Sequence, residues 1–175
     1  MTSTICLIIP QTVLSLKTLK PNDKLVYGIH YALSKKKGYT RYTNVSIARM
    51  LGIHPNLVGQ AQMNLIEAHL IEKNEAGYVI VKNELYQKER NIYIFYPVYS
   101  YKLNPGAKLL WGEYNSFSKG REVYFASREY SALRLGVSVQ SITAWTKQLF
   151  KEGFLTRYET HSGGRKIVTK SFESS

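Results

Sequence analysis

Two stretches of this chain carry polar side chains at the spacing of one helix face, and those side chains suit hydrogen bonding to base edges. Asn and Gln can make paired hydrogen bonds to adenine, Thr and Ala suit the thymine methyl group, and Lys can reach guanine or a phosphate. The candidate base-contacting residues are His54, Asn56, Gly59, Gln60, Met63 and Asn64 in the first stretch, and Gln140, Thr143, Ala144 and Lys147 in the second. The alternative interpretation is the solvated polar face of an amphipathic helix.

Each stretch lies in a predicted helix that begins just after a Leu-Gly turn. One turn is Leu51-Gly52-Ile53-His54 and the other is Leu135-Gly136-Val137-Ser138. Apolar residues recur at helical spacing in both helices, at about 55–69 and 139–152, which predicts a buried stripe opposite the polar one. The residues expected to be buried are Val58, Ala61, Leu65 and Ile66 in the first helix, and Ile142, Trp145, Leu149 and Phe150 in the second.

The two turns belong to an internal repeat with an offset of 84 residues. Without a gap, 11 positions are identical between residues 19–73 and 103–157, and many of the others exchange one apolar residue for another. The repeat extends upstream, where residues 4–10 resemble residues 91–97 if the following loop differs by three residues. Each unit therefore reads as a strand, a proline, a loop and a helical segment.

The order of predicted elements is the same in both units. In the first, Pro21 opens a helix, residues 39–42 form a short strand, Thr43 or Asn44 caps a second helix, and a hairpin follows the third. The second unit repeats this plan, with a longer and more basic hairpin tip at 160–166. The order predicts an α+β fold of two tandem winged helix-turn-helix domains, 1–85 and 89–175, forming an intramolecular pseudo-dimer.

In such a domain the third helix enters the major groove, while other elements touch the DNA backbone. Backbone N–H groups at the start of the second helix favour anions, and phosphate contacts fix position without reading sequence. The candidate phosphate-contacting residues are Thr43, Asn44, Arg49, Ser127, Arg128, Arg134, Arg165 and Lys166. Residues 35–37 are all Lys, a charge run more typical of a solvated helix end. Glu75 lies at the first hairpin tip, so we expect the two units to engage phosphate unequally.

The composition indicates a polyanion-binding protein. The formal net charge is +12, with 11 Lys and Arg against 5 Asp and Glu in residues 1–88, and 13 against 7 in residues 89–175. Nucleic acid is the leading partner, and a membrane surface is the weaker alternative. The single Cys6 cannot form an internal disulfide, and the apolar N-terminus, interrupted by Pro10, lacks the pattern of a signal or a membrane span. We therefore expect a cytoplasmic protein.

The sequence disfavours an enzyme. The tyrosines at 93, 96, 99 and 101 suggest nucleophiles that nick DNA, but metal-assisted nicking requires clustered His or carboxylates. The four His are scattered, and the sequence contains no zinc-type Cys/His spacing and no phosphate-binding Gly loop. The alternating tyrosines are more typical of a half-buried strand. We expect no metal and no cofactor.

Both units resemble the winged helix-turn-helix domain of plasmid and phage replication initiators and replisome organisers. The resemblance is carried by the strand ending in Pro10 or Pro97, by the opening at residues 19–27, and by the Leu-Gly-Val-Ser turn and Phe154-Leu155. It implies a sequence-specific double-stranded DNA-binding protein of a mobile element that binds direct or inverted two-part sites. Its role would be replication initiation or transcription regulation, with host replication or recombination proteins as further partners and self-association left open. The alternative is a protein-interaction module or recombination accessory factor.

Overall fold

The computed structural model describes residues 5–81, 90–118, 123–161 and 164–172, which form an α+β fold with three small antiparallel sheets. In the first half the elements are β1 (Leu7–Ile9), α1 (Gln11–Leu14), α2 (Pro21–Lys37), α3 (Asn44–Leu51), α4 (Pro55–Glu67), β2 (Ile71–Asn74) and β3 (Gly77–Ile80). In the second they are β4 (Ile92–Ile94), α5 (Tyr96–Tyr99), α6 (Pro105–Ser116), α7 (Arg128–Leu135), α8 (Val139–Lys151), β5 (Leu155–His161) and β6 (Gly164–Thr169). No helix within these ranges has the length and apolar character needed to cross a membrane.

Local signals place the helix ends where the sequence predicts them. Pro21 occupies the first turn of α2, and the Lys20 backbone N–H donates to the Asp23 carboxylate at 2.9 Å. The Thr43 and Ser127 hydroxyls each accept a backbone N–H at the start of α3 and α7. Gly52 and Gly136 end those two helices with φ of 66° and 65°, a backbone conformation that favours glycine. The predicted join at 83–89, with the expected domain ends at 85 and 89, lies outside the described residues.

The repeat is visible in the element bounds, but its upstream alignment differs from the sequence-based one. β1 and β4, and likewise α1 and α5, begin 85 residues apart, whereas the helices from α2 onward begin 84 apart. The three-residue loop difference is therefore wrong, and Pro10 is not equivalent to Pro97. Pro10 precedes α1, while Pro97 lies in the first turn of α5. Only Tyr93 of the alternating tyrosines lies in a strand.

A two-stranded sheet at the centre joins the two halves. β1 pairs antiparallel with β4, and Ile8 lies opposite Tyr93. One face of this sheet is buried under α2 and α6, each of which approaches through a glycine. A Cβ on Gly28 would lie 3.1 Å from Ile9 Cγ1, and one on Gly112 would lie 2.7 Å from Ile94 Cγ1. Because no side chain intervenes, each helix packs directly on the strand of its own half.

The two hairpins, β2–β3 and β5–β6, each gain a third chain segment through a single bridge. Thr40 pairs with Tyr78 in the first half, and Tyr124 pairs with Ile167 in the second. Thr40 and Tyr124 lie in the predicted short strands, which are reduced to these bridges. The second hairpin is the longer one, as predicted, while residues 162–163 of its tip lie outside the described part of the chain.

The buried faces of α4 and α8 differ from the expectation at the edges of each stripe. Val58, Ala61 and Leu65 are buried in α4, and Ile142 and Leu149 in α8. The predicted burial of Ile66 and Phe150 is wrong, since they are 37% and 48% exposed. Trp145 is half-buried. The inner positions are instead completed by two polar residues, Gln62 and Thr146, because each has hydrogen-bond partners inside the core.

Candidate nucleic-acid interface

α4 and α8 each follow a second helix after a tight turn, and each presents a stripe of four exposed residues at equivalent positions. The exposed stripe of α4 consists of Asn56, Gln60, Met63 and Glu67, and that of α8 consists of Gln140, Ala144, Lys147 and Lys151. Each residue of the first stripe lies 84 positions before its counterpart in the second. The spacing of four, three and four residues keeps every member on the same side of its helix.

Six of the ten candidate base-contacting residues lie on these stripes: Asn56, Gln60, Met63, Gln140, Ala144 and Lys147. His54 is exposed at the N-cap of α4, where its Nδ1 accepts a hydrogen bond from the Asn56 backbone N–H at 3.1 Å. Glu67 and Lys151 were missed, although one further step of the same helical spacing identifies both. The exposed stripe therefore extends one turn beyond the predicted face.

Three candidate base-contacting residues point elsewhere. Gly59 faces the start of α3, since a Cβ there would lie 3.3 Å from Asn44 Nδ2. The Asn64 side-chain amide donates to the Asp23 carboxylate at 3.3 Å, which ties α4 to α2. Thr143 is half-buried, and its hydroxyl donates to the Val139 carbonyl at 3.3 Å. These contacts hold the helices together, so the three side chains are corrected from groove contacts to packing contacts.

The start of the second helix in each half remains open to an anion. Thr43, Asn44 and Arg49 are exposed around α3, and Ser127 is exposed at the start of α7 with Arg128 half-buried beside it. The half-sequences differ here, because Arg128 stands where the first half has Asn44. Lys166 is half-buried on β6. Four of these six side chains are exposed and two are half-buried, and their phosphate contacts remain a prediction.

Arg134, the third candidate near α7, is buried and cannot reach phosphate. Its guanidinium donates to Glu113 at 2.8, 3.0 and 3.1 Å, with both side chains enclosed between α6 and α7. Tyr124 also donates to Glu113, at 3.1 Å. Burial of the Arg134 guanidinium is tolerated because Glu113 pairs with it, whereas an unpaired charge in the core would be costly.

Arg165 is the second buried arginine among the candidate phosphate-contacting residues. The side chain is 4% exposed, turned inward from β6. Its nitrogens donate to the carbonyls of Ala126 and Ser127 and to the hydroxyls of Tyr114 and Ser131, at 2.6 to 3.1 Å. It therefore fixes the loop before α7 against the hairpin. Of the two basic hairpin residues predicted to touch phosphate, Arg165 is therefore excluded by its burial, and the contact of Lys166 stays a prediction.

In the first half, an uncharged hydrogen-bond network takes the place of the interactions that these arginines make in the second half. The Gln62 amide donates to His30 Nε2 at 3.4 Å, and Tyr78 donates to the Gln62 carbonyl oxygen at 3.2 Å. Burial lowers the pKa of His30 to about 4, so the ring is neutral and accepts through Nε2. The counterparts of His30 and Gln62 are Tyr114 and Thr146, whose hydroxyls lie 2.8 Å apart.

The electrostatics of the two stripes are unequal. The α4 stripe has Met63 and Glu67 where α8 has Lys147 and Lys151. Arg49 of α3 partly compensates, since its counterpart Leu133 is apolar and 70% exposed. Of the two stripes, that of α8 carries the cations, Lys147 and Lys151, whereas the first half has the exposed Arg49 on the neighbouring helix α3.

Three of the tyrosines considered as nucleophiles, Tyr96, Tyr99 and Tyr101, make packing or hydrogen-bonding contacts. Tyr99 is buried and donates to the Ile5 carbonyl at 2.8 Å, and burial raises the pKa of its hydroxyl. Its ring contacts Tyr96 edge-to-face at 5.4 Å, and Tyr101 contacts Phe154 at 5.1 Å. Within the described ranges, no group of three His, Cys, Asp or Glu residues is placed to hold a metal ion.

No family model, curated protein or solved structure matches this chain. The described residues include two exposed stripes at equivalent positions of α4 and α8 and exposed helix starts at Thr43 and Ser127, in a chain of net charge +12.

Proposed function

We propose that this chain is a sequence-specific double-stranded DNA-binding protein, built as two tandem winged helix-turn-helix domains that form an intramolecular pseudo-dimer. α3 with α4, and α7 with α8, are the helix pairs, and the hairpins β2–β3 and β5–β6 are the wings. α4 and α8 enter the major groove, with their N-terminal residues nearest the base edges. We expect no enzymatic activity and no cofactor.

The observation that carries this proposal is the pair of exposed stripes on α4 and α8. Both occupy the same four positions of their helices, opposite buried residues that include Val58 and Leu65 in α4 and Ile142 and Leu149 in α8. The side chains fit base reading, since the amides of Asn56, Gln60 and Gln140 can pair with adenine and Lys147 can reach guanine. Thr43, Asn44, Arg49, Ser127, Arg128 and Lys166 supply the phosphate contacts in this proposal.

Two linked DNA readers increase the local concentration of the second once the first has bound, so they favour two-part sites over single ones. The biological role that fits is a plasmid or phage protein acting in the cytoplasm on repeated sites, as a replication initiator or a transcription regulator. Host replication or recombination proteins are the expected further partners.

Selection from a random duplex library, followed by mobility-shift titration, tests the proposal. Wild-type protein should enrich a defined sequence, and Gln60→Ala and Gln140→Ala should each relax selectivity at particular base pairs. Arg49→Ala and Lys166→Ala should weaken all sequences alike and reduce the salt dependence. Failure to enrich any sequence over the starting library would exclude sequence-specific binding.

A second candidate function, docking of a protein partner, is favoured by the apolar character of α4. Leu57 is 40% exposed, Met63 64% and Ile66 37%, on a helix face without Lys or Arg. Heparin retention and salt-dependent binding to nonspecific DNA distinguish the two functions. A protein of charge +12 that shows neither would favour the protein-binding function.

A further inference from the structure

The two halves meet through reciprocal contacts, in which each contact has an equivalent with the roles exchanged. In the central sheet Ile8 lies opposite Tyr93, its own counterpart 85 residues later. On either side, Leu7 lies opposite Ile94 and Ile9 opposite Ile92, so the second pair repeats the first with the halves interchanged. Contacts of this kind are the signature of a two-fold axis, which here passes between Ile8 and Tyr93.

The same reciprocity holds at the turns before α4 and α8. The Lys24 ammonium donates to the Leu135 carbonyl at 2.8 Å, and the Lys108 ammonium donates to the Leu51 carbonyl at 2.8 Å. Lys24 and Lys108 are counterparts, and so are Leu51 and Leu135.

The turn glycines repeat this exchange. A Cβ on Gly52 would meet the Ser100 carbonyl oxygen at 3.2 Å, and one on Gly136 would meet that of Ser15 at 2.5 Å. The turn before each exposed stripe is therefore packed against the opposite half. The axis that relates the central strands consequently also relates α4 to α8.

We infer that the DNA target is an inverted pair of unequal half-sites, one bound by α4 and the other by α8. This inference rests on the proposed function. A two-fold axis places equivalent surfaces at the same height along itself, which is the arrangement required for one duplex lying across the axis to meet both helices. The symmetry of a bound site follows the symmetry of the protein, which selects the inverted over the direct arrangement.

The half-sites are unequal because the stripes differ at all four positions. α4 presents Asn56, Gln60, Met63 and Glu67 where α8 presents Gln140, Ala144, Lys147 and Lys151. The amides of α4 suit adenine, whereas Lys147 of α8 suits guanine or a phosphate. The α8 half-site should therefore contribute the larger share of salt-dependent affinity.

Rearranged duplexes test the orientation. The sequence selected by wild-type protein is compared with one in which the half-site bound by α8 is inverted in place, with the same composition and spacer. The variant Lys147→Met identifies the half-site bound by α8. Base changes in that half-site should reduce the affinity of wild type but should have little further effect on the affinity of the variant. Inversion should reduce affinity by about 100-fold, to the level of a single half-site, because the second module loses its linked contact. Equal or tighter binding of the inverted version would overturn the inference and leave sequence-specific binding intact.

A variant that equalises the stripes tests the inequality. Asn56→Gln, Gln60→Ala, Met63→Lys and Glu67→Lys together give α4 the stripe of α8, and all four positions are exposed. In a new selection this variant should enrich a palindrome made of two α8 half-sites. Enrichment of the unchanged wild-type site would overturn the inference, as would enrichment of a direct repeat. If the wild type enriches no sequence, the proposed function fails and the inference fails with it.

Discussion

Lys24 and Lys108 lie 84 residues apart in the chain. Lys24 donates a hydrogen bond at 2.8 Å to the carbonyl of the last residue of α7, and Lys108 donates one at 2.8 Å to that of the last residue of α3. The last carbonyls of an α-helix have no partner within the helix, and its C-terminus carries a partial negative charge. A buried ammonium donates a hydrogen bond to such a carbonyl and places a positive charge beside the partial negative charge of the helix end. Each half therefore completes the helix end that precedes the exposed stripe of the other half.

The pH dependence of stability should reveal this pair of lysines. Burial lowers the pKa of both Lys24 and Lys108 to about 8 from the ordinary value of 10.5. Between those values the unfolded chain binds more protons, so the free energy of unfolding should rise as the pH increases from 8 toward 10. Urea unfolding at pH 7.5 and 9.5 measures this free energy for wild type and for the double variant Lys24→Met/Lys108→Met. The free energy of unfolding of wild type minus that of the double variant should increase with pH. A decrease in this difference would contradict the burial of the two lysines.

His30 should contribute to acid destabilisation. Burial lowers its pKa to about 4 from 6.5, so the unfolded chain binds an extra proton between these values. The stability that His30 supplies is complete above pH 6.5 and is lost as the pH falls toward 4. The variant His30→Gln keeps a hydrogen-bond acceptor for Gln62 but has no titrating ring. In chemical-denaturation experiments its free energy of unfolding should therefore fall less than that of wild type between pH 6.5 and 4. His69→Asn, at an exposed position, is the control; an identical decline in wild type and His30→Gln would exclude the prediction.

The Glu113–Arg134 pair should behave as a unit. Arg134→Met alone leaves a buried carboxylate uncompensated and should cost about 3–5 kcal/mol of unfolding free energy. The first half has Ile29 and Met50 at the equivalent positions. The double variant Glu113→Ile/Arg134→Met should therefore recover most of that loss, because well-packed apolar residues replace buried pairs at little cost. Arg49→Met, on the surface, should change stability by about 0.5 kcal/mol or less. A double variant no more stable than the single one would contradict the coupling.

Gly59 and Gln60 are adjacent in α4 but should respond differently to alanine. Gly59 faces Asn44, whose exposed side chain can shift, so Gly59→Ala should stabilise the helix by up to about 1 kcal/mol. Its affinity for the selected duplex should stay within about twofold of wild type, whereas Gln60→Ala should lose discrimination of about 1–3 kcal/mol at one base pair. Thermal unfolding and anisotropy titration of both variants check this. Loss of affinity in Gly59→Ala with a stable fold would return Gly59 to the interface.

Helix ends, the repeat and most of the exposed stripe could be predicted from sequence because their causes are local. Pro21, Gly52 and Gly136 act on their own backbone, and the spacing of Asn56 and Gln60 is a property of one helix. The same holds for the two hairpins, whose strands are close in sequence.

The positions of Arg134 and Arg165 could not be predicted, because their partners lie far away in the chain. Glu113 is 21 residues from Arg134, and Tyr114 is 51 residues from Arg165. A surface arginine and a buried, paired one have the same sequence pattern. The reciprocal contacts of the two lysines had one indication in the sequence. Lys24 and Lys108 are the same polar residue at equivalent positions beside the apolar stripes of both halves.

Anisotropy titration of the selected duplex across 50–300 mM salt tests DNA binding through α4 and α8 most directly. The variant Asn56→Ala/Gln60→Ala/Gln140→Ala/Lys147→Ala removes four exposed side chains, and Lys37→Ala removes one charge from the exposed end of α2. Wild type and Lys37→Ala should bind selectively, with affinity falling steeply as salt rises. The four-substitution variant should bind selected and scrambled duplexes equally weakly while unfolding as wild type does. Selective binding retained by that variant, or no salt-dependent binding by wild type, would contradict DNA recognition through these two helices.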